Sequence, residues 1–369
     1  MVKKLFRASI SALDKIPARV IIGKTWIFEW IAIFGKRKLY SDIKWTDQQK
    51  REFDAYWRQH YGKKISPRWH KLYQSINGHF DVEYLPDIIY STRVEPRINP
   101  YLIAKTYQDK ALIEVVAKAG GVKVPRTILV NSYGVFYDGD RNVISRDEAI
   151  AILQKENEAV CKPTVGGSSG HGVQVYDLRG KSKKEIQELL DLYKRDFVFQ
   201  EKIKQHESFS NLHPESINTI RAITVAGKKG IGHLPLAMRI GTGSSNVDNI
   251  HAGGLVIGVD DNGSLQEKAY WLGYCDRKDS CTAHPDSKII FKNYKLHNIP
   301  AILETAKKLH CLFPGIRMVS WDFTLSDHGE PVVIEANLLG QSIWFPQIVN
   351  EKGVSGKLLW MLERADEKN

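Results

Sequence analysis

MVSWDFTLSDHGEPVVIEANLLGQS, residues 318–342, consists of two apolar runs of β-forming residues on either side of a polar turn, a pattern that predicts a hairpin. If His328-Gly329 is a two-residue loop, Asp322 lies directly opposite Glu335. Strand side chains alternate, so Asn337 shares the face of Glu335. The other face of the predicted hairpin is apolar and holds Phe323, Leu325, Val332 and Ile334.

Two carboxylates placed roughly 5 Å apart across one sheet face repel each other. A hard divalent cation relieves that repulsion, and Asp322, Glu335 and Asn337 offer only oxygen ligands. The pattern therefore predicts a Mg²⁺ site that phosphate oxygens complete. The alternative is a polar hairpin face exposed to solvent, and the rest of the chain favours the metal.

The composition is that of an ordinary globular protein with two or three domains or subdomains, since 43% of the 369 residues are hydrophobic and 26% are charged. The four cysteines form no C-x-x-C pair, which indicates reduced thiols. The net charge of +11 is concentrated at one end, because residues 1–100 hold 19 Lys and Arg against 10 Asp and Glu. Most of the net positive charge therefore lies in the N-terminal region.

The N-terminal region contains an intensely apolar run, Val20–Phe34, interrupted by Lys24 and Glu29. The run is shorter than the roughly 20 residues that a spanning helix needs, and it lacks the features of a signal peptide. Two interpretations stay open. The helix lies in a membrane interface with Trp26 and Trp30 at headgroup depth, or it packs on the core of the protein.

Residues 45–80 interleave aromatic and basic side chains, and the spacing of Phe53, Trp57 and Tyr61 fits one face of a helix. Such interleaving can serve nucleic-acid stacking. No nucleic-acid-binding motif accompanies it, so we expect a helical cap packed by aromatic residues and no nucleic-acid partner. Prolines at positions 86, 96 and 100 then indicate a boundary near residue 100.

A glycine- and serine-rich decapeptide, PTVGGSSGHG at residues 163–172, lies between two predicted strands, with Lys162 at its entrance. Its many backbone N–H donors suit it to cover phosphates. It is not a Walker loop, because Gly-Lys-Ser/Thr is missing. A helix that begins at Lys110 precedes it, and the strand FVFQEKI at residues 197–203 follows it.

This order of elements resembles that of the ATP-grasp ligases from about residue 100 onward. The chain is similar in particular to the sugar-transfer-associated ATP-grasp proteins, and the aromatic N-terminal region resembles that family too. The matching segments are Gln200–His206, Asn218–Arg221, Asp248–Gly254, Trp321–Asp322 and Glu335–Asn337. The resemblance implies an α+β fold in which two α+β subdomains grip ATP, preceded by a mainly helical region. We expect the helical region at 1–100 and the catalytic region at 101–369, with a lid subdomain at about 125–200 and a metal-binding subdomain at about 201–369.

The resemblance also implies roles for individual residues. The residues expected on ATP are Lys110 and Lys162 at the phosphates, Gly166, Gly167, Ser168, Ser169, Gly170 and Gly172 over them, Gln200, Glu201 and Ile203 at the adenine, and His206 or Glu207 at the ribose. Many hinges of the family carry Glu where Gln200 stands. The trio Asp322, Glu335 and Asn337 would hold one or two Mg²⁺, for which Mn²⁺ can substitute.

Three further residues would act on the substrate. Arg221 and Arg239 would steady the transferred phosphoryl group or acyl phosphate, and His251 would orient the substrate. For Arg221 the alternative is a structural salt bridge, and for His251 a local hydrogen bond.

The implied activity is an ATP- and Mg²⁺-dependent carboxylate–amine ligase that forms an amide through an acyl phosphate. Its expected partners are an acidic sugar or polysaccharide acceptor, such as a uronic acid, and an amine donor, in the cytoplasm. The alternatives are a kinase that phosphorylates a hydroxyl and a membrane-peripheral binding protein without turnover. The basic N-terminal region is expected to form a platform beside the cleft that gathers an acidic glycan or the inner membrane surface.

Overall fold

The structure, a computed structural model, describes residues 16–164, 172–227, 230–244, 248, 250 and 253–358, with side chains from residue 20 onward. The helices are α1 (Ile16–Gly35), α2 (Arg37–Tyr40), α3 (Asp47–Tyr61), α4 (Arg68–Asn77), α5 (Asp87–Ile89), α6 (Glu95–Ile98), α7 (Tyr101–Tyr107), α8 (Lys110–Ala119), α9 (Arg146–Leu153), α10 (Lys183–Tyr193), α11 (Glu207–Ser210), α12 (Ile299–His310) and α13 (Trp344–Val349), with a π-helical turn at Tyr90–Val94.

The smaller of two sheets is antiparallel and has the strand order β3-β2-β1-β6-β4-β5. Its strands are β1 (Thr127–Ser132), β2 (Val135–Asp138), β3 (Val143–Ile144), β4 (Glu158–Pro163), β5 (Gln174–Asp177) and β6 (Phe197–Gln200). Helices α9 and α10 share its apolar core. Each begins with a reciprocal capping box, Ser145 with Glu148 and Ser182 with Glu185, which satisfies the first free N–H groups of the helix.

The larger sheet has the order β12-β11-β10-β9-β7-β13-β14, with β8 paired to β7. Its strands are β7 (Thr219–Gly227), β8 (Gly230–His233), β9 (Leu236–Ile240), β10 (Leu255–Val259), β11 (Leu265–Tyr270), β12 (Ser280–Cys281), β13 (Met318–Leu325) and β14 (Pro331–Asn337). Helices α8 and α12 pack on one face. The N-terminal helices and α13 pack on the other face, so this sheet is covered on both sides.

The N-terminal region is helical, as predicted, and its aromatic residues form a packed cluster. Phe53 and Trp57 are buried on α3, and their rings surround the fully buried His70 at centroid distances of 4.7 and 5.7 Å. Burial lowers the pKa of His70 to about 3, although its hydrogen bond to the Val82 carbonyl opposes the shift. This neutral histidine belongs to a core that continues into the large sheet, whereas the boundary at residue 100 stays a prediction.

Two buried polar residues at the end of this helical layer bind strands β13 and β14. Asn99 donates to the carbonyls of Met318 and Leu338, both at 2.7 Å, and its own oxygen accepts from the N–H groups of Arg317 and Met318. Glu95 accepts the N–H of Gly340 at 2.8 Å. The layer therefore holds the predicted metal hairpin and the turn that follows it.

Glu95 makes the stability of this attachment depend on pH. Burial raises its pKa from 4.5 to about 7, partly opposed by hydrogen bonds that include the one from Gly340. Between these values the folded protein keeps the proton and the unfolded chain loses it, so this group stabilises the fold below pH 4.5 and loses that contribution as pH rises to 7. In Glu95→Gln this dependence disappears. The free energy of unfolding of the wild type relative to that variant should fall by up to about 3 kcal/mol over this range.

Denaturant unfolding of both proteins at several pH values measures the difference. A difference that stays constant from pH 4.5 to 7 contradicts the role given to Glu95.

Candidate active site

The hairpin β13–β14 places Asp322 opposite Glu335, as predicted. The predicted two-residue loop is wrong. Ser326 N–H donates to the Glu330 carbonyl, and Gly329 N–H donates to the Ser326 carbonyl, so three residues form the loop. Gly329 has φ +78°, a left-handed conformation that glycine adopts without strain.

A β-bulge between Asp322 and Phe323 restores the predicted pairing at the carboxylates. Below the bulge Phe323 pairs with Val333, one residue away from the expected Ile334. Ile334 is the additional residue on β14. It was predicted on the apolar face of the hairpin, but it lines the cleft. The bulge thus adds an apolar side chain next to Glu335.

Asp322 is buried and bound by two arginines from neighbouring strands. Arg221 Nε on β7 lies 2.7 Å from its Oδ1, and Arg239 Nη2 on β9 lies 3.0 Å from its Oδ2. Burial by itself raises the pKa of Asp322, but the two guanidinium groups and the amide of Asn337 hold it below its ordinary value. Asp322 is therefore ionised.

Glu335 forms an ion pair with Lys110, whose Nζ lies 3.1 Å from Oε1. Protein cations therefore already relieve the repulsion between the two carboxylates. Sequence reasoning missed this because the cations come from α8, β7 and β9, far from the hairpin in the chain. The metal site itself stays a prediction.

The trio still fits Mg²⁺, because both carboxylates line the same cleft and all its ligand atoms are oxygens. In the described part of the chain, no group of three or more His, Cys, Asp or Glu residues could hold a metal. Two carboxylates and an amide supply only part of an octahedral shell. A cation here needs oxygens from phosphate and water as well.

The cleft has a volume of about 1120 Å³ and lies between the two sheets. Pockets for small ligands measure roughly 300–1,000 Å³, so this cleft lies slightly above the upper end of that range. Lys162, at the end of β4, is buried in its wall, and burial lowers the pKa of its amine to about 8. Phosphate bound beside it would favour the charged form.

Part of the predicted phosphate loop and one predicted substrate residue lie outside the described residues. They are Gly166, Gly167, Ser168, Ser169, Gly170 and His251. Gly172, at the end of that loop, has φ +79°, and a Cβ there would lie 2.8 Å from the ring of Pro163. A close approach to Pro163 and a left-handed backbone both require glycine at this position.

The expected hinge, Gln200–Ile203, lines the cleft. The Gln200 amide points to Thr127 Oγ1 and the Pro125 carbonyl, and Glu201 N–H donates to the Arg126 carbonyl at 2.9 Å. Within the described residues, the Glu201 carbonyl and the Ile203 N–H have no hydrogen-bond partner. This pair of groups is therefore available to an adenine edge.

The residues expected at the ribose do not line the cleft. His206 caps α11 and stacks on His297 at a ring distance of 4.5 Å, and Glu207 is exposed. Ser210 and Glu215 line the cleft instead. The ribose role of His206 or Glu207 stays a prediction that this placement does not favour.

Asp248 is a further residue of the site to which sequence reasoning assigned no role. It is buried against Arg239 at 3.4 Å and against the hydroxyl of Thr219. Burial raises its pKa, with Arg239 opposing the shift. The only sequence feature that pointed to Asp248 was the segment DNIHAGG, which begins with this residue. The sequence does not show that Asp248 contacts Arg239 on β9.

Two antiparallel sheets with an ATP-sized cleft between them, and a carboxylate hairpin on the larger, define the ATP-grasp class of proteins. A family model for sugar-transfer-associated ATP-grasp proteins matches residues 90–361, and the chain belongs to that family. No curated protein matches the sequence.

Solved structures with similarity include a D-alanine–D-alanine ligase from Bacillus anthracis, at 17% identity and TM-score 0.41, covering 72% of this chain and 69% of that one. The ATP-grasp ligase PsnB, complexed with a minimal precursor, is 15% identical with TM-score 0.39, covering 71% of this chain and 62% of that one. An L-amino acid ligase from Bacillus licheniformis is 11% identical with TM-score 0.40, covering 73% and 52%. The chain thus spans less than two thirds of the latter two proteins.

Because Lys110 holds Glu335, we expect it to compete with a metal when no nucleotide is bound. Lys110→Met should tighten nucleotide-free Mn²⁺ binding roughly tenfold, the effect of removing one nearby cation from a carboxylate. The same variant should bind ATP more weakly. Electron paramagnetic resonance of free Mn²⁺ measures the first effect.

Lys105→Met is the matched control, since Lys105 also lines the cleft. Unchanged or weaker Mn²⁺ binding in Lys110→Met would show that Lys110 does not compete with a metal for Glu335.

Proposed function

We propose that the protein is an ATP- and Mg²⁺-dependent carboxylate–amine ligase. The observation that carries the proposal is the charge arrangement on one cleft floor, where Asp322 and Glu335 are bound by Lys110, Arg221 and Arg239. When MgATP enters the cleft, the two carboxylates could serve as a Mg²⁺ site and the three cations as a phosphate site. The carboxylates would then hold the metal, and the cations would bind the phosphates.

The nucleotide would lie with its adenine at the Glu201 carbonyl and the Ile203 N–H. From there its phosphates would extend toward Lys162 and Lys110. Both lysines line the cleft near Glu335. Lys110 forms an ion pair with this carboxylate, and, against the effect of burial, the negative charge of Glu335 raises the pKa of Lys162. Asp322, Glu335 and Asn337 would hold Mg²⁺, or Mn²⁺ in its place, and the bound metal would supply neutralisation of charge during transfer.

The reaction would proceed in two steps in which positioning and charge stabilisation supply most of the rate. A carboxylate oxygen of the substrate attacks the γ-phosphorus and ADP leaves, which forms an acyl phosphate. The nitrogen of an amine then attacks the carbonyl carbon, phosphate leaves and the amine loses a proton. Arg221 and Arg239 lie beside the metal site, where they can bind the transferred phosphoryl group.

We further propose an acidic sugar, such as a uronic acid, as the carboxylate substrate, with an amino compound as the donor. The family description and the size of the cleft support this choice. Beyond Arg221 the cleft is lined by Trp344 and Phe345, and the guanidinium carbon of Arg221 lies 5.1 Å from the Phe345 ring centre. The proposal places the reaction in the cytoplasm, where ATP is supplied.

A kinase is the second candidate, because the same phosphate and metal groups could transfer the γ-phosphoryl group to a hydroxyl. Mass spectrometry of products from sugar acids combined with amines separates the two. A ligase product equals the sum of both substrates less one water, whereas a kinase product is one substrate plus a phosphoryl group. Hydroxylamine should also trap the acyl phosphate as a hydroxamate, and a phosphate ester without hydroxamate contradicts the ligase.

Glu335→Gln tests the metal role with little change of shape. It should lower ATP consumption by about 100-fold or more, because several kcal/mol of metal-mediated charge stabilisation are lost. An ADP-release assay measures the effect, and thermal unfolding checks that the fold is retained.

The matched control is Glu330→Gln on the same hairpin, where Glu330 pairs only on the surface with Lys123 at 2.9 Å. We expect this control to keep nearly full activity. Near-normal ATP consumption in Glu335→Gln removes the basis for a metal site at the hairpin.

A further inference from the structure

Helix α1 packs on the protein with a face of mixed polarity. Its less exposed positions are Ile22, Thr25, Glu29, Trp30, Ala32 and Ile33, and Lys36 follows just past the end of the helix. Ile33 is buried, and the Lys36 ammonium donates to the Tyr274 carbonyl. Burial raises the pKa of Glu29, partly opposed by Lys36. The one acidic residue of α1 is thus turned inward, and α1 packs on the body of the protein.

The outward face of the same helix is apolar. Val20, Trp26, Ile27, Phe28, Ile31 and Phe34 are each more than half exposed. Isolated exposed apolar side chains are ordinary on protein surfaces, but a contiguous stripe of large ones is typical of a site that meets another apolar phase. The exposed face of α1 is therefore apolar, whereas a helix whose outer face meets only water carries polar side chains there.

Basic residues stand at both ends of this apolar stripe. Along the outward face Lys24 interrupts the apolar residues near one end, and Arg37 and Lys38 follow at the other, all three exposed. The sequence of residues 1–15 adds four Lys and Arg against Asp14. A partner that covers the stripe must therefore be apolar in its interior and negatively charged at its surface.

We propose that α1 is a membrane-docking helix that lies in the headgroup region of a bilayer containing anionic lipid. A helix of 20 residues is about 30 Å long, and its apolar stripe would enter the acyl boundary while its basic ends meet lipid phosphates. Among the described helices none is long and apolar enough to cross a membrane, so the contact is in the plane of the surface.

A second copy of this chain fits the stripe less well than anionic lipid. In a two-fold symmetric contact the same surface meets itself, so Lys24, Arg37 and Lys38 of one copy would approach the same cations of the other. The apolar gain would then be opposed by repulsion of like charges. Anionic lipid would bury the apolar stripe in its acyl region and pair its phosphates with Lys24, Arg37 and Lys38.

The docking helix and the cleft are separate surfaces. Within the described chain the lining of the cleft begins at Lys105, so α1 contributes no residue to it. The docking proposal therefore does not depend on the proposed reaction. It also replaces the expected basic platform beside the cleft and removes Lys36 from it, because Lys36 is turned inward.

The test is flotation of the full-length protein with phosphatidylcholine vesicles that contain or lack phosphatidylglycerol. We expect binding only to the anionic vesicles, and weaker binding as salt rises from 0.1 to 1 M, where the Debye length falls from ~10 to ~3 Å. Arg37→Gln/Lys38→Gln should lower the affinity about 25-fold, since each basic side chain near an anionic surface contributes a factor of about five. Phe28→Ser/Ile31→Ser should abolish binding.

Matched controls carry equal changes on equally exposed residues elsewhere. Val143→Ser/Leu192→Ser and Lys183→Gln/Lys184→Gln lie on the smaller sheet and its helix α10, and both should bind as the wild type does. Thermal unfolding and ATP binding should be unchanged in all four variants.

Three results overturn the proposal. One is a wild type that does not bind anionic vesicles, or that binds neutral ones equally well. Another is a dimer in light scattering that Phe28→Ser/Ile31→Ser converts to a monomer, because a second copy then covers the stripe. The third is vesicle binding that appears only after removal of residues 1–15, because that segment then covers α1.

Discussion

The buried ion pair between Asp322 and Arg221 is the interaction on which the rest of the site depends. An ionised carboxylate buried without a partner costs several kcal/mol, so the strand that carries Asp322 is stable only beside strands that carry cations. The order β9-β7-β13-β14 meets this requirement, since Arg221 pairs directly with Asp322 in the sheet and Arg239 comes from the next strand. The same order brings Glu335 to the other side of Asp322. In strand order, one sheet thus presents two cations, Arg239 and Arg221, and then two anions, Asp322 and Glu335, to the cleft.

The helical N-terminal layer belongs to this arrangement and is more than an appended cap. Its residues share one core with the large sheet and α13. Asn99 and Glu95 hold the backbone of β13 and the turn after β14, so the layer positions the carboxylate hairpin from behind. Its outermost helix, α1, presents an apolar face to the exterior. One layer therefore connects the carboxylate hairpin to the surface on which we place the membrane.

The sequence predicted the features that depend on neighbours along the chain and missed those that depend on distant strands. Counting outward from an assumed two-residue loop paired Asp322 with Glu335. The loop has three residues and a bulge follows at Ile334, but these two irregularities cancel at that pair, so the predicted pairing is observed. The pairing of Asp322 with Arg221 lies 101 residues apart in the chain and needs the strand order. The hydrogen bond from Glu201 N–H to the Arg126 carbonyl, which occupies part of the hinge, was missed for the same reason.

We propose that MgATP enters the cleft by exchanging partners with the charges of Asp322, Glu335 and Lys110. A crystal structure with Mg²⁺ and a non-hydrolysable ATP analogue would test this exchange. We expect Mg²⁺ at about 2.1 Å from oxygens of Asp322 and Glu335, with Lys110 moved from Glu335 to a phosphate and adenine at the Ile203 N–H. A nucleotide bound elsewhere, or one bound in the cleft with the Lys110–Glu335 pair intact and no metal at Asp322, would contradict it.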